Sequence, residues 1–168
     1  NPKESLFGFN QRVLVYFAVD TDEVYMTTEL KGNKTFFLPF NKGNNRGKGN
    51  PVVEGKEKTS YLWEEILSKD SLLDIVKRFY FIQEDDKGNK RAIFPRFHQL
   101  DAVRKIVEDL KINKAGKNYL IQHSAGSGKT NTIAWTSHRL SSLHDEDNNA
   151  IFDSVIVVTD RKVLDKQL

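Results

Sequence analysis

Eight consecutive residues carry the densest chemistry in the chain: His123-Ser124-Ala125-Gly126-Ser127-Gly128-Lys129-Thr130. Gly126 and Gly128 have no Cβ, so the backbone around Ser127 can curl and turn its amides toward an anionic oxygen. Lys129 supplies a compact positive charge for the β- and γ-phosphates of a nucleoside triphosphate. Thr130 offers a hydroxyl to the accompanying Mg²⁺. The spacing is that of the Gly-x-x-x-x-Gly-Lys-Ser/Thr phosphate loop, with His123 standing where the first glycine is usual. A nucleoside triphosphate with Mg²⁺ is therefore the expected ligand. Gly126, Ser127, Gly128, Lys129 and Thr130 are the expected phosphate-binding set, and Thr130 is the expected metal contact.

Such a loop works only between a strand and a helix, whose N-terminus adds orphan amides and a favourable dipole. Residues 118–123 read as a short strand entering the loop, and residues 129–143 as the helix leaving it. Residues 154–159, Ser-Val-Ile-Val-Val-Thr, form a β-branched run expected to be a buried parallel strand. Strand, helix, strand in that order is one βαβ unit. Residues 145–149 are a polar loop within it. Upstream, Pro95 precedes a helix with Leu100, Val103, Val107 and Leu110 on one face. Gln99, near its start, has an amide donor and acceptor that suit the N6 and N7 edge of adenine. Arg96 accompanies it.

The first half reads differently. Residues 12–20 and 23–30 are strand candidates joined by a turn at Thr21-Asp22, and residues 36–40 form a third apolar run. Residues 41–58 are rich in Gly, Asn and Lys and have no apolar period, which reads as a solvated linker. The competing reading is a basic loop that meets DNA phosphates through Lys42, Arg46, Lys48 and Lys56. Residues 61–68 read as a short helix. Ser71-x-x-Asp74 fits a capping box for a helix whose stripe is Leu72, Ile75, Val76 and Phe79. Residues 85–89 are a charged turn.

Composition narrows the class. The chain has 168 residues, 38% hydrophobic and 29% charged, with a formal net charge of +3. That is enough apolar content for a packed core, and a mild basic excess that permits a nucleic-acid partner. With no cysteine there is no disulfide framework and no thiolate metal site. His98, His123, His138 and His144 are too scattered to form a metal set. No apolar run reaches about 18 residues, so no membrane span is expected, and no signal peptide opens the chain. A cytoplasmic protein is expected. The chain starts at Asn1, and residues 160–168 read as the opening of a helix, so an internal fragment of a longer protein is expected.

Several stretches together resemble one family. Arg96-Phe97-His98-Gln99-Leu100-Asp101-Ala102 resembles the Q-type motif of superfamily 2 helicases, whose phosphate loops tolerate variation at the first glycine. Val157-Val158-Thr159-Asp160-Arg161-Lys162 resembles the next motif, which contacts nucleic acid there. Phe37-Leu38-Pro39-Phe40-Asn41, Gly49-Asn50-Pro51, Tyr61-Leu62-Trp63-Glu64-Glu65, Lys69-Asp70-Ser71-Leu72-Leu73 and Ile121-Gln122-His123-Ser124-Ala125-Gly126 are similar to the restriction subunit of type I restriction enzymes. The resemblance implies a nuclease joined to an ATP-driven motor that translocates double-stranded DNA, assembled with modification and specificity subunits. It implies an α/β fold: an incomplete P-loop (RecA-like) parallel-sheet motor lobe, preceded by a β-hairpin remnant of the nuclease domain and a helical connector. The division implied is 1–40 for the nuclease tail, 41–94 for the basic loop and connector, and 95–168 for the first motor lobe. Arg161 and Lys162 join Lys42, Arg46 and Lys48 as expected DNA contacts. The alternative is another helicase-like DNA-dependent ATPase of superfamily 2.

One pattern imitates a nuclease site. Asp20 followed by Glu29-Leu30-Lys31 has the form Asp…Glu-x-Lys, which could hold Mg²⁺ beside a lysine. Aspartate also closes strands before turns for backbone reasons. In the resembled family the nuclease Glu-x-Lys lies before the matched segment. The fragment is therefore expected to neither hydrolyse ATP nor cut DNA alone.

Overall fold

A computed structural model describes residues 4–159, Arg46 excepted. It is a mixed α/β structure in two compact units, Asn1–His98 and Gln99–Leu168.

The first unit is built on antiparallel pairing. β1 (Tyr16–Val19) pairs with β2 (Val24–Thr27), and β2 pairs with β3 (Leu38–Pro39). The turn between β1 and β2 is closed by Asp20, whose Oδ1 accepts the amides of Asp22 (2.7 Å) and Glu23 (2.8 Å). β2 is central and carries the buried side chains Val24, Met26 and Thr27. Pro39, with no N–H to give, sits on the outer strand. Both strands of the first hairpin are shorter than the apolar runs in the sequence. Residues 12–15 lie outside any strand, and Phe36 is 75% exposed.

The core here is aromatic. Phe40 makes edge contacts with Phe17 (5.3 Å between centroids) and Phe97 (5.9 Å). Phe94 packs on Phe17, and Tyr61 packs on Phe97. The Tyr61 hydroxyl donates to the Phe40 carbonyl (2.8 Å), and burial raises its phenol pKa far above the ordinary value.

Residues 41–58, read as a solvated linker, are mostly exposed where described but are tied down at one point. Asn50 is buried and staples the base of the loop. Its Nδ2 donates to the Asp22 carbonyl and to Asn41 Oδ1 (both 2.9 Å), while its Oδ1 accepts the Lys42 amide (2.8 Å). Asn41 Oδ1 also accepts the Val24 amide (2.7 Å). Two asparagine side chains thus satisfy backbone groups that no ladder reaches.

The expected helix at 61–68 is a single π-turn, Leu62–Ile66, closed by the Leu67 amide on the Leu62 carbonyl (2.8 Å). α1 (Lys69–Arg78) then starts two residues before the expected cap at Ser71, with Ser68 as its N-cap. Its buried face is Ile75 and Phe79, whereas Val76 is exposed. Asp74 pairs with Arg78 one turn on (3.0 Å). The charged turn at 85–89 joins two strands that the sequence reading missed, β4 (Phe81–Glu84) and β5 (Lys90–Ile93).

The second unit holds α2 (Phe97–Asn113) from Gln99 onward, and α3 (Lys129–Ser141). Leu100, Val103, Val107 and Leu110 are all buried, as the period required. The two expected strands behave otherwise. Residues 118–123 and 154–159 join no ladder among the described residues, and Leu120, Ile156 and Val158 are each more than 80% exposed. A parallel strand takes every ladder bond from neighbours distant in sequence. These two do not pair with each other. An apolar groove of about 400 Å³, lined by Ile106, Leu110, Tyr119, Ile121, Leu140 and Phe152, lies in this unit. No described helix is long and apolar enough to cross a membrane.

Candidate phosphate-binding site

The loop from His123 to Gly128 ends as the N-cap of α3. Gly126 and Gly128 both take left-handed backbone angles, φ +72° and +79°. The Ser127 amide turns back to the Ser124 carbonyl (3.3 Å), and the first helical bond runs from Thr132 to Gly128 (3.3 Å). The amides of Lys129, Thr130 and Asn131, which precede that first bond, have no partner within the helix, because a helix leaves its first N–H groups unsatisfied. α3 therefore presents a positive end to the loop.

Gly128 is glycine for two reasons. Its φ is unfavourable for any L side chain, and an added Cβ would lie 2.5 Å from Gln99 Nε2. Gln99 is buried against the loop, its Nε2 donating to the carbonyls of Gly128 (2.8 Å) and Ser127 (3.3 Å). Because both partners are carbonyls, the amide nitrogen must face the loop. The donor expected to read adenine is thus directed at the phosphate loop itself. Arg96 immediately precedes α2 and is half-buried, and burial pulls its guanidinium pKa below the usual value.

Lys129 is exposed, and its ammonium bridges the loop by donating to the carbonyls of Ser124 (2.9 Å) and His123 (3.2 Å). Thr130 is half-buried in the first turn of α3, and Ser127 is buried. Added atoms at Gly126 would meet nothing within 4 Å, so this part of the loop is open to a ligand. The arrangement fits a polyphosphate: left-handed glycines, a helix N-terminus and a lysine on the open side. The Thr130 hydroxyl, in the first turn of α3, is the group that could hold the Mg²⁺ accompanying a triphosphate. Among the described residues no cluster of three or more His, Asp or Glu could hold a metal by itself. Mg²⁺ in such sites is usually bound through substrate phosphates.

Sequence reasoning passed over Thr132. Its hydroxyl is buried and makes no hydrogen bond among the described residues. Its place one turn after a glycine cap was visible in the sequence, but its burial was not.

The other expected site residues separate clearly. Lys42 is held by Glu65 (2.6 Å) and lies over the Tyr61 ring (5.0 Å). Lys56 is held by Glu64 (2.9 Å). Lys48 is exposed and has no ion pair among the described residues. Arg46, Arg161 and Lys162 lie outside the described residues, as does Asp160. In the nuclease-like pattern, Asp20 is engaged in its turn and Glu29 pairs with Lys31 (2.9 Å). His138 and His144 are exposed, and His123 enters the site through its carbonyl.

Residues 98–168 match the model of the SWI2/SNF2 ATPase family, which implies ATP use. The chain is 26% identical, over 166 residues, to a curated Methanocaldococcus jannaschii protein described as a putative type I restriction enzyme MjaVIIIP endonuclease subunit. The alignment covers 96% of this chain but 15% of that relative. No solved structure matches the chain. The resemblance to a restriction subunit, carried by the motifs above, is thus found along nearly the whole chain.

Proposed function

We propose that this chain is part of the restriction subunit of a type I restriction enzyme, a protein that translocates duplex DNA with ATP and Mg²⁺ and cleaves it. The observation that carries the nucleotide half is the loop geometry: Gly126 and Gly128 in left-handed conformation at the head of α3, with Lys129 across the opening. The phosphate set is Gly126, Ser127, Gly128, Lys129 and Thr130. Mg²⁺ bound with the nucleotide would neutralise developing charge on the phosphates. This chain's own part is to bind and orient: amides and Lys129 take the phosphate oxygens, and Thr130 takes the metal.

Gln99 acts on the base and the loop together. Its amide nitrogen holds the Gly128 carbonyl, its amide oxygen is the group assigned to the adenine edge, and Arg96 is the second residue inferred for the adenine. The lobe is RecA-like, and residues 118–123 and 154–159 are two strands of its parallel sheet. Their exposed apolar side chains and the groove beside them support that reading. The inferred division is residues 1–40 as nuclease tail, 41–94 as basic loop and connector, and 95–168 as motor lobe. DNA contacts come from Arg161, Lys162, Arg46 and Lys48. Lys42 is the weakest of the set, because its charge is already answered by Glu65. The protein works in the cytoplasm beside modification and specificity subunits.

The decisive experiment replaces Lys129 with Ala in the full-length protein. Loss of ATP binding and of restriction supports the assignment, and unchanged ATP hydrolysis with unchanged restriction removes it. A second reading, a helicase-like ATPase without nuclease, is favoured by the SWI2/SNF2 match alone. Mg²⁺-dependent cleavage of plasmid by the intact protein separates the two.

A further inference from the structure

α2 holds the phosphate loop's chain segment at two places. Near its start, Gln99 grips the loop's exit at Ser127 and Gly128. Near its end, the Asp109 carboxylate gathers three donors. Its Oδ1 accepts from Asn113 Nδ2 (2.8 Å) and Lys117 Nζ (2.9 Å). Its Oδ2 accepts from Lys117 Nζ (3.1 Å) and from the Tyr119 hydroxyl (2.6 Å). Lys117 and Tyr119 stand on the extended segment that enters the loop at His123. The two grips are separated along the helix by about 15 Å, ten residues at 1.5 Å each.

We propose that Asp109 is a positioning residue for the phosphate loop, fixing through Tyr119 the line along which the chain enters it. The inference rests on the nucleotide reading above. In the fold proposed above residues 118–123 form a strand, and these contacts fix where α2 holds its start. A short hydrogen bond from a phenol to a carboxylate is directional and charge-assisted. The exposed lysine pair adds little by itself. With both ends of the segment referred to one helix, the loop's amides keep their aim when Lys129 leaves the Ser124 carbonyl for a phosphate. Asp101–Lys105 is an internal control, an exposed pair on the same helix (2.7 Å) that joins neither the loop nor its leading segment.

The test uses the full-length protein, Mg²⁺-ATP as probe, calorimetric binding, ATP turnover and thermal unfolding. Tyr119→Phe and Asp109→Asn should each raise the Kd roughly 3- to 10-fold, the effect of one lost hydrogen bond. KM should rise with kcat unchanged. The double variant should be no weaker than Asp109→Asn alone, because both changes act through one carboxylate. Lys105→Ala should leave the Kd alone, and Tm should move by less than ~2 °C in every variant. An unchanged Kd in Tyr119→Phe, which removes only a hydroxyl from an exposed ring, overturns the proposal. So does a Kd that changes only in step with Tm, or an equal effect from Lys105→Ala. Failure of the unsubstituted protein to bind Mg²⁺-ATP removes the nucleotide reading itself and the positioning role with it.

Discussion

β1 and β2 found each other across a four-residue turn, whereas residues 118–123 and the β-branched run 154–159 found no partner among the described residues. The difference is one of topology. An antiparallel hairpin carries its partner within a few residues, and here Asp20 organises the turn through two amides. Parallel strands need a crossover and further strands to complete their ladders. A strand sequence is therefore a demand for neighbours, and only the chain's topology decides whether the demand is met locally.

The largest effect that sharpens this contrast is at Phe40, fully buried in the aromatic core of the first unit. Phe40→Ala should cost about 3–5 kcal/mol, the range for deleting a buried aromatic ring. Denaturant unfolding followed at Trp63, in the same unit, would register it. A cost below about 1 kcal/mol would show that the first unit is not held by that cluster.

Ile156 tests the other side. In the chain as described its side chain is exposed, and Ile156→Ala should change stability by less than about 0.5 kcal/mol. In a longer protein whose added strands bury it, the same change should cost about 2–5 kcal/mol. Equal costs in both would break the comparison, because the segment would then not be waiting for neighbours.

Gly128→Ala strikes the loop between those segments. Its left-handed backbone and the close approach of Gln99 predict a loss of about 1–3 kcal/mol and a matching loss of ATP affinity. Wild-type affinity in that variant would mean the loop rearranges freely. Thr132→Val should act in the opposite direction, raising stability by about 1 kcal/mol, because a buried hydroxyl without a partner is replaced by a methyl of the same shape. A lower Tm would show that the hydroxyl has a partner in solution.

The smallest effects belong to two turns, one in each unit. Asp85 is held below the usual carboxylate range first by the Asn89 side chain, and Asp145 first by the Asn149 amide and then by Lys114. A depressed folded pKa gives stability that is fully present above the unfolded value of about 3.9 and is lost as pH falls through the folded value. Carboxyl titration by NMR should give both groups midpoints below the ordinary aspartate. A normal midpoint at either would show that its turn is open in solution.

Legibility followed the range of the causes. The buried stripe Leu100, Val103, Val107 and Leu110 was readable because helical period is local. The β4–β5 hairpin was missed, since Phe81-Ile82-Gln83-Glu84 and Lys90-Arg91-Ala92-Ile93 do not alternate, and only their turn was visible. The loop at 41–58 read as a linker because composition reports solvation. The burial of Asn50, which ties that loop down, depends on an acceptor 28 residues away.

The sequence by itself determined the glycine loop at the head of α3, because glycine freedom and the helix that follows are properties of a few adjacent residues. It also determined the aspartate turns and the face of α2. Tertiary structure alone decided that Gln99 grips Gly128, that Lys42 answers Glu65, and that Asp109 gathers Lys117 and Tyr119. Each of those contacts joins groups separated along the chain, and their geometry exists only once the intervening backbone has taken its path.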